Sequence, residues 1–285
     1  MGITRRQFLH AGAATWFTTG LLGAAGGSLA ATAANSGQAT KPTTGKTSVI
    51  GFDAYLAQHG YSQVEAKPLI TGLAFNGGLR YDDDLEAVGV KTFQKQTVAR
   101  VEDSSHKGRS GTLPVFTIIG LDTSTPALAK TATNLVLAYL INVVGLDPSR
   151  LRVTTTTKSS TFFPLLAHWG IGASQIQLRP WAAAVKAGSG SGYFAPAGHP
   201  QAPQVPSYSL EYVMPDGSEL EIAEICHANG NGRSTGGIGV ERVNMARTGK
   251  AMLWVDQLPQ FNRLVQEEAA RTGVALPPGV ATINN

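Results

Sequence analysis

Ser209-Leu210-Glu211-Tyr212-Val213-Met214 and Glu219-Leu220-Glu221-Ile222-Ala223-Glu224-Ile225-Cys226-His227 flank the turn Pro215-Asp216-Gly217. Proline presets the first turn dihedral, aspartate caps its own backbone, and glycine accepts a positive φ. Two runs of β-formers around such a turn predict an antiparallel hairpin. Upstream, Leu113 to Leu121 is an apolar run rich in β-formers and predicts a buried strand. Ser62–Ile70, Leu151–Thr157 and Gln175–Leu178 predict shorter strands.

Helices alternate with these strands. Ser124-Thr125-Pro126 offers a capping hydroxyl and an N1 proline, and Leu128 to Val144 then repeats at helical spacing until Gly145. Ser48–Gln58, Thr161–Trp169 and the amphipathic Gln257–Arg271 predict further helices. Leu85–Ala99 shows no clear period, and Glu102–Gly111 and Trp181–Pro206 read as loops. Antiparallel strands mixed with helices predict an α+β fold.

The N-terminus reads as an address. Arg5-Arg6 precede Phe8-Leu9, an uncharged Gly/Ala-rich stretch runs to Leu29, and Ala31-Thr32-Ala33 is a small-x-small cleavage pattern. These are the three parts of a secretory signal, with the paired arginines of the twin-arginine class. The expected organisation is a signal over residues 1–33, a Ser/Thr/Gly-rich linker over 34–47, and one domain over 48–285. The twin-arginine translocase is then a partner during export, the destination is periplasmic or extracellular, and no stable membrane span remains.

The formal charge is +4, and loss of the two signal arginines leaves +2, too mild to argue for nucleic acid. A single cysteine, Cys226, excludes an internal disulfide and a cysteine-based zinc site.

Gly236-Gly237-Ile238-Gly239 before Glu241-Arg242 puts close-approach backbone and a helix start beside an arginine, a combination suited to an anion. A plain glycine-rich turn with a surface arginine fits the same pattern. Glu219 and Glu221 share a strand face and could hold Mg²⁺ or a cationic group, or form a solvated hairpin face. Cys226 and His227 are strand neighbours on opposite faces, which argues against a nucleophile–base pair. His106, Lys107 and Arg109 lie in a Gly-flanked loop that reads equally as a phosphate contact or a wet surface.

Several segments, in order, resemble the catalytic core of alanyl-tRNA synthetase, a class II synthetase. They are Leu73–Gly78, Asp84–Gly89, Val115–Gly120, Asp147–Thr154, Leu220–Ile222 and Gly237–Arg242, the last resembling Gly-Met-Gly-Leu-Glu-Arg. The resemblance implies an antiparallel sheet flanked by helices that binds ATP, with Mg²⁺, and an amino acid. It places Arg242 on the ATP phosphates with Arg80 as the second phosphate arginine, Phe116 toward adenine, and Gly237, Gly239 and Glu221 around the cofactor.

Substrate positions would fall at Thr235, Glu224 and Phe194, each a departure from the family residue. Thr235 replaces the aspartate that holds the substrate amino group, and the tRNA-binding, editing and C-terminal regions are missing. tRNA is therefore not an expected partner. The expectations are an exported, ATP-dependent, adenylate-forming enzyme acting on a small carboxylate. The alternatives are a degenerate pseudo-enzyme binding an amino acid, peptide or metabolite, and an accessory protein docking through residues 181–206.

Overall fold

The hairpin forms as the sequence predicts. In the computed structural model, β9 (Val205–Val213) and β10 (Glu219–His227) pair antiparallel. The turn closes with the Gly217 amide donating to the Met214 carbonyl at 2.9 Å, and Gly217 takes φ 83°. The structure describes residues 49–78, 90–124, 131–187, 192–194, 205–227, 233–276 and 280. The residues read as an export signal and linker, Arg80, the Asp84–Gly89 segment and residues 125–130 of the expected helix lie outside these residues.

The remaining strands are β1 (Ser62–Val64), β2 (Ile70–Thr71), β3 (Ala74–Phe75), β4 (Lys91–Ala99), β5 (Val115–Ser124), β6 (Leu151–Thr156), β7 (Ile176–Arg179), β8 (Tyr193–Phe194) and β11 (Arg233–Gly239). The main sheet runs β1-β4-β5-β11-β10-β9-β6-β7, with β8 against β9, while β2 and β3 form a separate hairpin. Its interior is antiparallel, and β1/β4 and β6/β7 pair parallel at the two edges. The helices are α1 (Phe52–Gln58), α2 (Ala132–Ala138), α3 (Phe163–His168), α4 (Trp181–Ala187), α5 (Val240–Thr248) and α6 (Trp254–Thr272). The fold is α+β, a large central sheet flanked by helices. Among the described residues no helix is long and apolar enough to cross a membrane.

One sheet face is apolar. Phe93, Leu121, Ile119, Ile238, Ile225, Leu210, Tyr208 and Val153 from neighbouring strands meet Ala132, Val136 and Leu140 in one core. Gly236 belongs to that contact: a Cβ there would stand 3.2 Å from the Ala132 side chain and 3.3 Å from Val136. A second core joins Ala99 and Val115 to Trp254, Phe261 and Val265 of α6.

Four expectations are corrected. β4 lies inside the stretch read as unpatterned, because Gln94 and Gln96 are buried strand residues whose amides donate to the Glu65 and Lys67 carbonyls. Trp181–Pro206 is not all loop: Trp181–Ala187 is α4, where alanine propensity outweighs the loop-like composition. The glycine run at 236–239 is a strand, not a turn. The helix predicted from Pro126 has its regular part from Ala132, with Thr131 extended at its N-cap, and ends in a π turn over Tyr139–Val143.

Candidate functional site

The opposite face of the same sheet is polar, and strand register shows which residues share it. One cross-strand row runs Thr154–Ser209–Glu224–Gly237–Gly120–Gln94. A parallel row holds Ser207, Cys226, Thr235 and Asp122. A third holds Arg152, Glu211 and Glu221. The register shift between Glu221 and Ala223 matters here. Leu220 and Ile222 face the core before it, and Ala223 and Ile225 after it. The bulge therefore keeps Glu219, Glu221 and Glu224 on the polar face, a re-aiming of side chains typical of such irregularities. Gly237 opposite Gly120 leaves bare backbone in the middle of this face, where a ligand can approach closely.

At one end of the face the charges converge. β11 runs directly into α5, so Arg242 occupies the first turn of the helix. Its Nη1 donates to Glu221 Oε2 at 3.1 Å and its Nε to the Gly111 carbonyl at 3.0 Å. Its guanidinium lies 4.8 Å from the centre of the Phe116 ring, and that of Arg100 lies 5.6 Å from the same centre. Two cations thus share one aromatic ring, a cation–π arrangement strengthened by desolvation.

Burial is the largest influence on Arg242 and lowers its pKa. Glu221 and Asp103 pull it back, and Arg100 pushes it down further. It stays charged, since guanidinium does not lose its proton in proteins.

Local backbone fixes this arrangement. Gly111 holds φ 77°, which presents its carbonyl to Arg242. A Cβ at Gly239 would crowd the Arg242 stem at 3.3 Å, so that glycine makes room for the arginine rather than for a ligand. Glu241 Oε2 accepts from the Thr117 amide at 2.8 Å, just past the last β11–β5 pair, Gly239 with Ile118. That bond occupies the donor left where β11 turns away into α5.

The structure brings Arg242, Phe116 and Glu221 together. Gly237, Glu224 and Thr235 lie on the same polar face, and Gly239 lies beneath Arg242. Phe194 pairs with Val205 at the start of β9, at the opposite end of that strand from Glu211. Arg80 lies outside the described residues.

Sequence reasoning missed the arginine that stands at the ring, Arg100. It follows β4, two positions after Val98, which pairs with Phe116. An arginine two residues past the last apolar residue on one face of a strand is the signal that could have found it. Asp122 was missed as well: it pairs directly with Thr235, so an acid stands one strand away from that position. Glu211 was the third residue missed.

Among the described residues no group of three His, Cys, Asp or Glu side chains has the geometry to hold a metal ion. Glu221, the carboxylate proposed for Mg²⁺, is paired with Arg242. The residues present fit an anionic aromatic group better than a metal. Cys226 is buried, and burial first, then the negative charge of Glu224, push its thiol well above its ordinary pKa, against a hydrogen bond with Thr235 that lowers it. It is not poised as a nucleophile.

No protein-family model matches the chain, and no curated protein matches it. Similar solved structures include a pyrrolysyl-tRNA synthetase, PylSc, from Desulfitobacterium hafniense at 12% identity and TM-score 0.39, covering 70% of this chain and 67% of that one. Apo histidyl-tRNA synthetase from S. aureus is similar at 10% identity and TM-score 0.39, covering 84% and 83%. Aspartyl-tRNA synthetase from Entamoeba histolytica is similar at 14% identity and TM-score 0.33, covering 70% of this chain and 53% of that one.

Proposed function

We propose that the polar face binds a nucleotide or another anionic aromatic ligand, with Arg242 and Arg100 on the phosphates and Phe116 against the base. The observation that carries this reading is the convergence of two guanidinium groups on one ring beside a floor of bare glycine backbone. Arginine forks suit phosphate oxygens, and an aromatic face suits a heterocycle. ATP, if bound, supplies an activated phosphoanhydride. This chain's own part is to orient it and to offset charge that develops at the phosphate.

Arg242 stands too close to Phe116 to admit a base between them. Two stacked contacts need about 7 Å, so the guanidinium moves aside or the base takes another edge of the ring. A catalytically silent binding module is the second reading, favoured by Thr235 in place of the amino-group aspartate and by the Glu221–Arg242 pair. In both readings the protein is exported through its twin-arginine signal, an inference from residues 5–33 alone. Replacing Arg5 and Arg6 with lysine should leave the protein in the cytoplasm, and unchanged export refutes the address.

Calorimetric titration of the full chain with ATP, AMP and adenine tests the nucleotide reading. Saturable binding of ATP, lost in Arg242→Ala with the fold retained by circular dichroism, supports it. Equal affinity in that variant removes the phosphate role. Pyrophosphate exchange with ATP and a panel of amino acids and other small carboxylates separates the two readings, since only an adenylate-forming enzyme supports it.

A further inference from the structure

The two arginines at Phe116 are held differently. Arg242 is fixed by the Glu221 carboxylate and the Gly111 carbonyl, whereas backbone alone grips Arg100 from two sides. The Arg100 amide donates to the Pro114 carbonyl at 3.0 Å, which continues the β4–β5 ladder past Ala99. Its Nε donates to the Gly77 carbonyl at 2.9 Å. That bond engages the donor nearest the side-chain stem and not the two terminal nitrogens, the part of the fork that suits a phosphate.

Gly77 offers its carbonyl there because the residue before it is tied down. In the β2–β3 hairpin Ile70 pairs with Phe75 and Thr71 with Ala74. The Asn76 amide extends this ladder by donating to the Leu69 carbonyl at 2.8 Å. The Asn76 carbonyl then accepts from the Ala99 amide at 3.0 Å. Successive carbonyls, of Asn76 and Gly77, thus grip successive residues, Ala99 and Arg100.

The Asn76 side chain closes the bracket. It is 1% exposed, and its Nδ2 donates to the Pro68 carbonyl and, at 3.4 Å, to the Thr71 hydroxyl. Both acceptors belong to the first arm of the hairpin, so the side chain sets where residues 76 and 77 leave it. A hairpin with two residues in each strand is not stable by itself. This one is anchored because Leu69, Ile70 and Phe75 pack with Ala99, Val115 and Phe261 in the second core. The bracket therefore stands on the body of the domain, and its last carbonyl reaches the site.

We propose that Asn76 is a positioning residue for phosphate binding: it fixes the Gly77 carbonyl, which holds the Arg100 guanidinium beside Phe116 before the ligand arrives. The inference rests on the nucleotide reading and deepens it. A guanidinium that is already restrained loses less rotamer freedom when it meets a phosphate, so affinity is gained by preorganisation. Asn76 acts through Gly77 and Arg100, so its effect falls on the phosphates and not on the base.

Titration of the full chain with ATP and with adenosine tests it. In Asn76→Ala, ATP affinity should fall roughly three- to tenfold while adenosine affinity stays unchanged. A purely structural role would weaken both ligands alike. The loss should vanish in an Arg100→Ala background, because the group that Asn76 positions is gone. Melting curves check the fold of each variant. If Asn76→Ala does not fold, Arg100→Lys takes its place, since one ammonium cannot hold the Gly77 carbonyl and reach a phosphate together. Its ATP affinity should match that of Arg100→Ala, and wild-type affinity in Arg100→Lys overturns the proposal. Unchanged ATP affinity in Asn76→Ala, an equal loss for adenosine, or a loss that persists without Arg100 also overturns it, with the nucleotide reading left standing. Failure of the wild-type chain to bind ATP ends both.

Discussion

Arg242 and Glu211 lie on the same face of one sheet, on either side of Glu221, and both are mostly buried groups capable of charge. Their surroundings differ. Arg242 has a carboxylate, a carbonyl and an aromatic ring arranged around it. Glu211 has a hydroxyl on one side and a buried, unpartnered oxygen on the other, with two further carboxylates nearby. The partners of the arginine offset its desolvation, while burial and the charges of Glu221 and Glu219 raise the glutamate pKa more than the Thr154 hydroxyl and its own backbone lower it. A polar sheet face is therefore not one environment.

The largest expected effect breaks the Glu211 side. A carboxyl whose folded pKa is raised to about 8 favours the folded state most below its unfolded value, near 4.3. That contribution is lost as pH rises through the folded value. Glu211 alone should thus lower stability by roughly 3–5 kcal/mol between pH 5 and pH 9. Glu211→Gln should flatten that slope in urea melts across this range, and an unchanged slope would mean that Glu211 is ionised in the fold.

The next effect breaks the Arg242 side. Arg242→Ala strips partners from Glu221, the Gly111 carbonyl and the Phe116 ring, and should cost about 2 kcal/mol at pH 7 by chemical denaturation. Glu221→Gln is milder, because that carboxylate is 40% exposed and solvent screens the pair, so about 1 kcal/mol or less is expected. It should also lower the apparent pKa of Glu211 by removing one neighbouring charge, seen as a shift in the same pH–stability curve. Arg100→Ala, which leaves Arg242 on the ring, should change stability least and weaken nucleotide binding by about tenfold.

Much of the framework was legible. The Pro215-Asp216-Gly217 turn fixed the hairpin, the apolar run before Ser124 marked β5, and the amphipathic pattern near the end marked α6. β4 was hidden because its buried glutamines donate their amides to the backbone of residues 65–67, so a polar residue stood where the pattern asked for an apolar one. The glycine run misled for a related reason. Gly236 touches α2 and Gly239 gives way to the Arg242 stem, so each glycine answers a packing demand inside a strand. Arg242, Phe116 and Glu221 could be named from their motifs. Arg100, Asp122 and Glu211 could not, because their importance comes from cross-strand register, and register is a property of the assembled sheet.

A crystal structure of the full chain with a non-hydrolysable ATP analogue addresses the account most directly. It should place the base on Phe116, the phosphates within hydrogen-bond distance of Arg242 and Arg100, and the ribose over the Gly237–Gly120 pair. An analogue bound on the apolar side or at an unrelated surface, with the Arg242–Phe116 contact unchanged, would contradict it.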